Sequence, residues 1–306
     1  MIFERLAIVG VGLIGGSFAM AAREAGLARR ISGWDDRATL EAALRLGVID
    51  EIEEAFADGG YCSADLIYLA APVGGILEFL QRYGKQVKRG AIVTDAGSTK
   101  RQVCRVARTA LAEGAHFVGG HPMAGSHERG LAAARADLFR DSAYALIGDE
   151  PAQKGVEAIA LRLLIEAVRV IGARPVVMTA ERHDHVVAAI SHAPQLLATV
   201  LATSVAEAGD EMMPQLAGAG FADMTRLAAS HWSVWEDICA TNGDEIAATL
   251  AHLIAALERL RSELAGGNLA QTGAAFRSAN DFIRRFHGAI GDARYVDETH
   301  DKQGNH

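Results

Sequence analysis

The sequence predicts an α/β fold, a doubly wound and mainly parallel sheet, followed by an all-helical C-terminal region. Three observations predict it. Short apolar runs at residues 6–9, 31–34, 66–70, 91–94, 117–119, 143–147 and 176–178 alternate with helical periodicity at 18–25, 38–46, 101–112 and 156–171. Strand and helix signals repeated in this way describe βαβ units. A glycine run, Gly10-Val11-Gly12-Leu13-Ile14-Gly15, stands directly after the first apolar run. After Met178 the chain becomes Ala- and Leu-rich at helical spacing and offers no convincing strand.

The glycine run has the G-x-G-x-x-G form and the context that form requires, a strand before it and a helix after it. Gly10 permits the tight turn, Gly12 lets backbone approach a pyrophosphate, and Gly15 allows close helix–strand packing. The helix opened by Leu13 and Ile14 then offers unpaired N–H groups and a positive dipole end to phosphate. Asp35 ends the second apolar run, twenty residues after Gly15, where a carboxylate accepts from ribose hydroxyls. A glycine-rich turn with a solvated aspartate would look similar, but strand, helix and acid together favour a dinucleotide-binding (Rossmann) domain. A carboxylate at Asp35 repels the 2′-phosphate of NADP, so NAD is expected. Arg37 lies near enough in sequence to take that phosphate instead.

The run 65–70 is apolar without alternation, as in a strand buried on both faces. Ligands of a doubly wound sheet gather outside the carboxyl ends of its strands. Three polar or turn-forming segments fall there. Ala71-Pro72 follows one strand, Asp95-Ala96-Gly97-Ser98 the next, and Gly119-Gly120-His121-Pro122 the one after. This places Ala71 and Pro72 against the cofactor and brings Ser98 and His121 towards its reactive end. Ser98 could equally cap a helix starting near Thr99, and His121 could be a turn histidine. From position alone His121 is a candidate general acid or base.

Thr179 is placed to cap the first helix of the second region, with Glu181 favourable in its first turn. The boundary is therefore set at 178/179. Residues 1–178 form the dinucleotide-binding domain, 179–291 a helical substrate-binding and dimerisation domain, and 292–306 a polar, disordered tail. Residues 186–202 and 247–264 carry more apolar surface than so few helices can bury, which predicts a homodimer. No apolar run is expected to span a membrane. With 50% hydrophobic residues, a net charge of −8 and no Lys/Arg block, the composition is that of a globular protein with neither nucleic acid nor membrane as partner. Cys62, Cys104 and Cys239 are far apart and read as reduced thiols, and no signal peptide is seen, so the protein is expected in the cytoplasm. His183, His185 and His192 suggest a metal, but helical geometry sends i, i+2 side chains to different faces and separates His185 from His192 by roughly 10 Å. No metal is expected.

Asp95-Ala-Gly-Ser-Thr-Lys100 followed by Gly119-Gly-His-Pro-Met-Ala-Gly-Ser126 resembles the paired signature of the prephenate/arogenate (cyclohexadienyl) dehydrogenase family. His183-Asp184 with Ile190-Ser191-His192, and Phe221-Ala-Asp-Met-Thr-Arg226 with Trp235 and Asp237, resemble its C-terminal motifs. The likeness runs from the first strand to roughly residue 285. It implies oxidative decarboxylation of prephenate to 4-hydroxyphenylpyruvate, of arogenate to tyrosine, or both, with NAD, in tyrosine biosynthesis, by a dimer. By the same resemblance His121 takes the proton of the ring 4-hydroxyl, Ser98 orients His121 near the nicotinamide, Arg226 grips a substrate carboxylate, and His192 and Trp235 lie by the substrate. Asp223 and Arg226 are also spaced for an i, i+3 surface ion pair, and Trp232 and Trp235 for core packing. The chain departs from the family pattern at Gln195, where many relatives carry His, at His127, where many carry Glu, and at Ala222, where a basic residue is common. The Ala222 departure leaves the choice between pyruvyl and alanyl side chains open.

Three other readings compete. A 3-hydroxyacid or imine reductase would place a lysine on a C-terminal helix, but no lysine follows residue 178 before Lys302. A 4-amino-4-deoxyprephenate dehydrogenase would keep every motif named here. A non-enzymatic NAD-sensing protein would have no use for Ser98, His121 and Arg226 together.

Overall fold

Period-2 geometry sorts the first apolar run between two cores. In strand β1 (Phe3–Val9), Leu6 and Ile8 face one way and pack with Phe18 and Tyr68, while Ala7 and Val9 face the other and pack with Phe79 and Leu80. The same split recurs in β4 (Leu66–Leu69), with Leu66 and Tyr68 on the first side and Ile67 and Leu69 on the second. A strand covered on both faces has no polar side, which is why the sequence shows a continuous apolar run there.

The structure, a computed structural model, describes residues 2–56, 60, 62–125, 128–148, 156–267 and 269–290. The expected tail at 292–306 lies outside the described residues, as do Ser126 and His127. The chain divides into two compact units, Met1–Ala247 and Ala248–His306. The first therefore includes helices that follow the expected boundary at 178/179.

Within the first unit, β1, β2 (Ala28–Trp34), β3 (Glu51–Ile52), β4, β5 (Ile92–Asp95) and β6 (His116–Val118) form a parallel sheet in the order β3-β2-β1-β4-β5-β6. This is the doubly wound order, with its switch point between β1 and β4. Helices α1 (Leu13–Glu24), α2 (Arg37–Arg45), α3 (Val73–Tyr83), α4 (Arg101–Ala110) and α5 (Val156–Val170) connect or cover the strands. The stacked rings of Phe18 and Tyr68, with centroids 3.9 Å apart, lock α1 onto the sheet. Neither β3 nor α3 is among the runs singled out in the sequence. β3 is two residues long, and the Gly74-Gly75 pair interrupts the apolar spacing of α3.

Three strands stand apart from that sheet. β7 (Gly120–Pro122) pairs antiparallel with β8 (Ala143–Ile147), which pairs parallel with β9 (Arg174–Met178). The sequence reads residues 119–122 as a turn after a strand. Instead the chain leaves β6 at Gly119 and enters a second sheet at once. The close approach explains the glycine at 120, where a Cβ would lie 2.6 Å from the Asp95 carbonyl oxygen.

Beyond β9, Thr179 accepts the Arg182 N–H at 3.1 Å and caps α6 (Ala180–Val187), as its position suggests. A π-helical turn at Ala188–His192 joins α6 to α7 (Ala193–Ala208). Short helices α8 (Met212–Leu216) and α9 (Ala219–Thr225) and a 3-10 turn at Arg226–Ala229 precede α10 (Trp232–Ala265), which breaks at Asn242. In the second unit α10 is followed by α11 (Leu269–Ile290), where Phe282 and Phe286 stack with centroids 6.1 Å apart.

Candidate active site

The glycine loop has the shape its sequence implies. Gly10 takes φ +87°, and a Cβ there would meet the Ala70 carbonyl oxygen at 2.7 Å. A Cβ on Gly15 would fall 1.9 Å from the Gly10 carbonyl oxygen. Around Gly12, the N-cap of α1, space is open within 4 Å, and no side chain caps the helix. The orphan N–H groups of Leu13 and Ile14 thus face a free cradle. Asp35 reaches back to this loop: one carboxylate oxygen accepts the Val11 N–H at 2.7 Å and the other the Asp36 N–H at 2.7 Å. Arg37 lies exposed at the start of α2 and pairs with Glu41 at 2.8 Å. Ala71 and Pro72 lead into α3, whose Gly74 N–H donates to Asp237 of α10 at 2.7 Å. An uncapped helix end, an open glycine and an oriented carboxylate suit the phosphates and ribose of a dinucleotide.

His121 is half-buried on β7, opposite Ala145 of β8, and so sits on a strand rather than in a flexible turn. The strand is fixed from behind. The Lys100 ammonium pairs with Asp95 and donates to the Gly120 carbonyl at 2.7 Å. Asp95 in turn accepts the Gly120 N–H at 3.1 Å and the Gly97 N–H at 2.9 Å.

Beside it, His121 Nδ1 lies 2.9 Å from His183 Nε2, and His183 Nδ1 lies 2.8 Å from Asp184 Oδ1. Asp184 also accepts the Lys100 N–H at 2.7 Å, the Arg101 N–H at 2.9 Å and Arg101 Nε at 3.2 Å. It thereby caps α4, which has no side-chain cap of its own. Asn242, at the break in α10, donates to the Asp184 carbonyl at 2.9 Å and lies 3.3 Å from His192 Nδ1. The Arg101 guanidinium donates to Asn242 at 2.8 Å and to Asp244 at 2.7 Å. His192 meets the ring of Trp235 edge-on, with centroids 5.8 Å apart.

Burial governs the titration of this cluster. It lowers His121 well below an ordinary histidine, and the charges of His183, Lys100 and His192 add to the effect. Burial also depresses His183, against the pull of Asp184, and brings His192 down to about 4. Burial pushes the Asp184 carboxyl up, but hydrogen bonds from His183, Arg101 and Lys100 leave it below the usual carboxylate range.

The two halves of this arrangement match a known pair of domains. Residues 18–178 match the family described as prephenate dehydrogenase, nucleotide-binding domain, and residues 179–277 match prephenate dehydrogenase, dimerization domain. The chain belongs to the prephenate dehydrogenase family. It is 34% identical over 284 residues to a prephenate dehydrogenase of Bacillus subtilis, spanning 91% of this chain and 75% of the relative. It is 34% identical over 279 residues to a cyclohexadienyl dehydrogenase of Zymomonas mobilis, spanning 86% of this chain and 89% of the relative. Among solved structures, prephenate dehydrogenase from A. aeolicus in complex with hydroxyphenyl propionate and NAD+ superposes with a TM-score of 0.84 at 26% identity, covering 93% of this chain and 98% of that one.

In this member of the family the residues singled out in sequence fall into distinct groups. Gly10, Gly12, Leu13, Ile14, Gly15 and Asp35 form the loop. His121, His183, His192 and Trp235 form a connected cluster. Ser98 is half-buried, and its hydroxyl has no hydrogen-bond partner among the described residues. It does not cap α4, which begins two residues beyond the start near Thr99, and His183 rather than Ser98 meets Nδ1 of His121. Arg226 opens the 3-10 turn and is exposed. Gln195 grips that turn, donating to the Leu227 carbonyl at 2.7 Å and accepting from Ser230 at 3.1 Å. The residues missed in sequence are Lys100 and Asp95 as a buried pair, Asp184 as a cap, and Asn242.

The continuous helix Ala180–Ala208, at 29 residues, is long and apolar enough to cross a membrane by length and composition. Polar residues within the run, His192 and Gln195, are buried by packing in the first unit, and Asp184 on the same helix is fully buried in its hydrogen bonds. The helix belongs to the matched dimerization domain.

Proposed function

We propose that this chain oxidises prephenate, arogenate or both with NAD, releasing CO2 and the aromatic product, in tyrosine biosynthesis in the cytoplasm. The observation that carries this reading is His121 on strand β7, which the buried Lys100–Asp95 pair holds at Gly120, in the same unit as the open glycine cradle. Bound NAD would supply a hydride acceptor. Gly10, Gly12, Leu13, Ile14 and Gly15 would hold its pyrophosphate and Asp35 its ribose, with Ala71, Pro72 and Ser98 lining the strand ends.

The ring carbon that loses hydride carries a hydroxyl, and that hydroxyl becomes a carbonyl only if its proton leaves. His121 takes this proton. Hydride departure and loss of the C1 carboxylate as CO2 then leave an aromatic ring, whose phenol regains a proton. Arg226 holds the remaining substrate carboxylate, and His192 and Trp235 bound the side-chain end of the pocket. NAD is preferred because Asp35 repels a 2′-phosphate, and Arg37 is already paired with Glu41.

The active species is a homodimer. Large apolar side chains at Ile190, Val200, Leu216 and Trp232 of the first unit, and at Leu257 and Phe276 of the second, stand exposed on the single chain and need a covering surface. Purified protein should generate reduced cofactor from prephenate or arogenate with NAD faster than with NADP. Absence of turnover in all four combinations overturns the proposal.

A further inference from the structure

We infer that His183 and Asp184 fix His121 in the tautomer that carries its proton on Nδ1 and keeps its lone pair on Nε2. The inference rests on the proposed reaction for the use of that lone pair, but the tautomer itself follows from hydrogen bonding.

The argument starts at Asp184. Its carboxylate receives two backbone N–H groups at the start of α4 and the Arg101 Nε–H, and with three charge-assisted donors it stays ionised. An ionised carboxylate only accepts. His183 Nδ1, 2.8 Å away, must therefore carry a proton. A neutral imidazole has one N–H, so His183 Nε2 is left with a lone pair. That nitrogen lies 2.9 Å from His121 Nδ1, and only a proton on His121 Nδ1 makes the contact a hydrogen bond. Neutral His121 then presents its other nitrogen, Nε2, as the acceptor.

The chain would invert only if His183 were an imidazolium donating through both nitrogens. His183 is 1% exposed and feels the Lys100 ammonium, and both disfavour a second proton more than Asp184 favours it. His183 and Asp184 are thus positioning residues. Asp184 also caps α4, so its removal would confound orientation with folding, and the test falls on His183.

The experiment is nitrogen NMR of protein labelled at histidine, without cofactor, with the His121 signals assigned by their loss in His121→Asn. The expected spectrum has His121 protonated on Nδ1 and bare on Nε2. The opposite tautomer, or protonation of both nitrogens at neutral pH, overturns the inference. In His183→Phe, His121 should show both tautomers, and kcat should fall about tenfold or more with KM little changed, as when a triad acid no longer holds its histidine. In His183→Gln the amide can donate to Asp184 and accept from His121, so the Nδ1–H form and most of kcat should return. A His183→Phe spectrum with the wild-type tautomer also overturns the inference. Should His183→Phe fail to fold, the wild-type and His183→Gln spectra decide. If the wild type shows the Nδ1–H form yet turns over neither substrate, the reaction reading fails and the tautomer stands.

Discussion

The Lys100 ammonium and the Asp95 carboxylate face each other with no side-chain surface exposed, and together they hold both backbone groups of Gly120. Lys100 lies just before α4 and Asp95 at the end of β5, so the pair ties the main sheet to the first residue of β7. His121 follows directly. Removing one member of such a pair leaves an uncompensated buried charge, which typically costs about 3–5 kcal/mol. Lys100→Met should therefore lower unfolding free energy by roughly that amount in urea titration. Asp95→Asn added to it should restore part of the loss. A Lys100→Met protein as stable as the wild type would contradict this account.

Much of the fold is readable from residues alone because its signals are local. The six residues of the glycine loop, the apolar run of β1 and the cap at Thr179 each depend on neighbours within one turn or one strand. The site is less legible because its key relations are distant. His183 meets His121 across 62 residues, and the short strand carrying His121 has no pattern of its own. Helix geometry applied to His183, His185 and His192 assumes an unbroken α-helix, whereas a π-helical turn ends at His192 and shifts its face. Asp184 is identifiable only afterwards, as the acceptor for a helix that lacks its own cap. The one local hint was the His183-Asp184 dipeptide, a titratable pair on a helix with otherwise apolar buried positions.

The depressed histidines set the direction of pH dependence. In the unfolded chain His192 protonates near 6.5, but in the folded chain only at about 4. Between those values the unfolded state holds more protons, so stability falls as pH drops through this window and levels off below it. A displacement of that size corresponds to roughly 3 kcal/mol. His121 and His183, both lowered, act in the same direction. Urea midpoints should thus be nearly flat above about pH 7 and fall steadily towards about pH 4.5. His192→Asn should flatten part of that slope. Equal midpoints across the window would rule out buried neutral histidines.

Arg226 should act on substrate affinity. It sits in a turn that Gln195 holds at two points, so its backbone is fixed. Loss of a charge-assisted contact to a carboxylate costs roughly 1.5–3 kcal/mol of binding. Arg226→Ala should raise KM for prephenate or arogenate strongly, while NAD binding and thermal stability stay near wild type. An unchanged KM would assign Arg226 to the surface instead.

His121 carries the sharpest expectation. General base catalysis typically contributes about 10²–10⁴ in rate, so His121→Asn should lower kcat within that range with little change in KM. Asparagine can still donate to His183 Nε2, which keeps the local hydrogen bonds while removing the base. Because burial and the neighbouring positive charge lower His121 well below an ordinary histidine, its neutral form persists into mild acid. The wild-type rate should hold as pH drops through about 6.5 and decline only below it, as a single group protonates. That limb should vanish from the residual rate of His121→Asn. NAD binding, followed by quenching of tryptophan fluorescence, should be unaffected. Wild-type kcat in His121→Asn would remove the histidine from the chemistry. Loss of NAD binding along with turnover would make it a support of the cofactor pocket rather than the base.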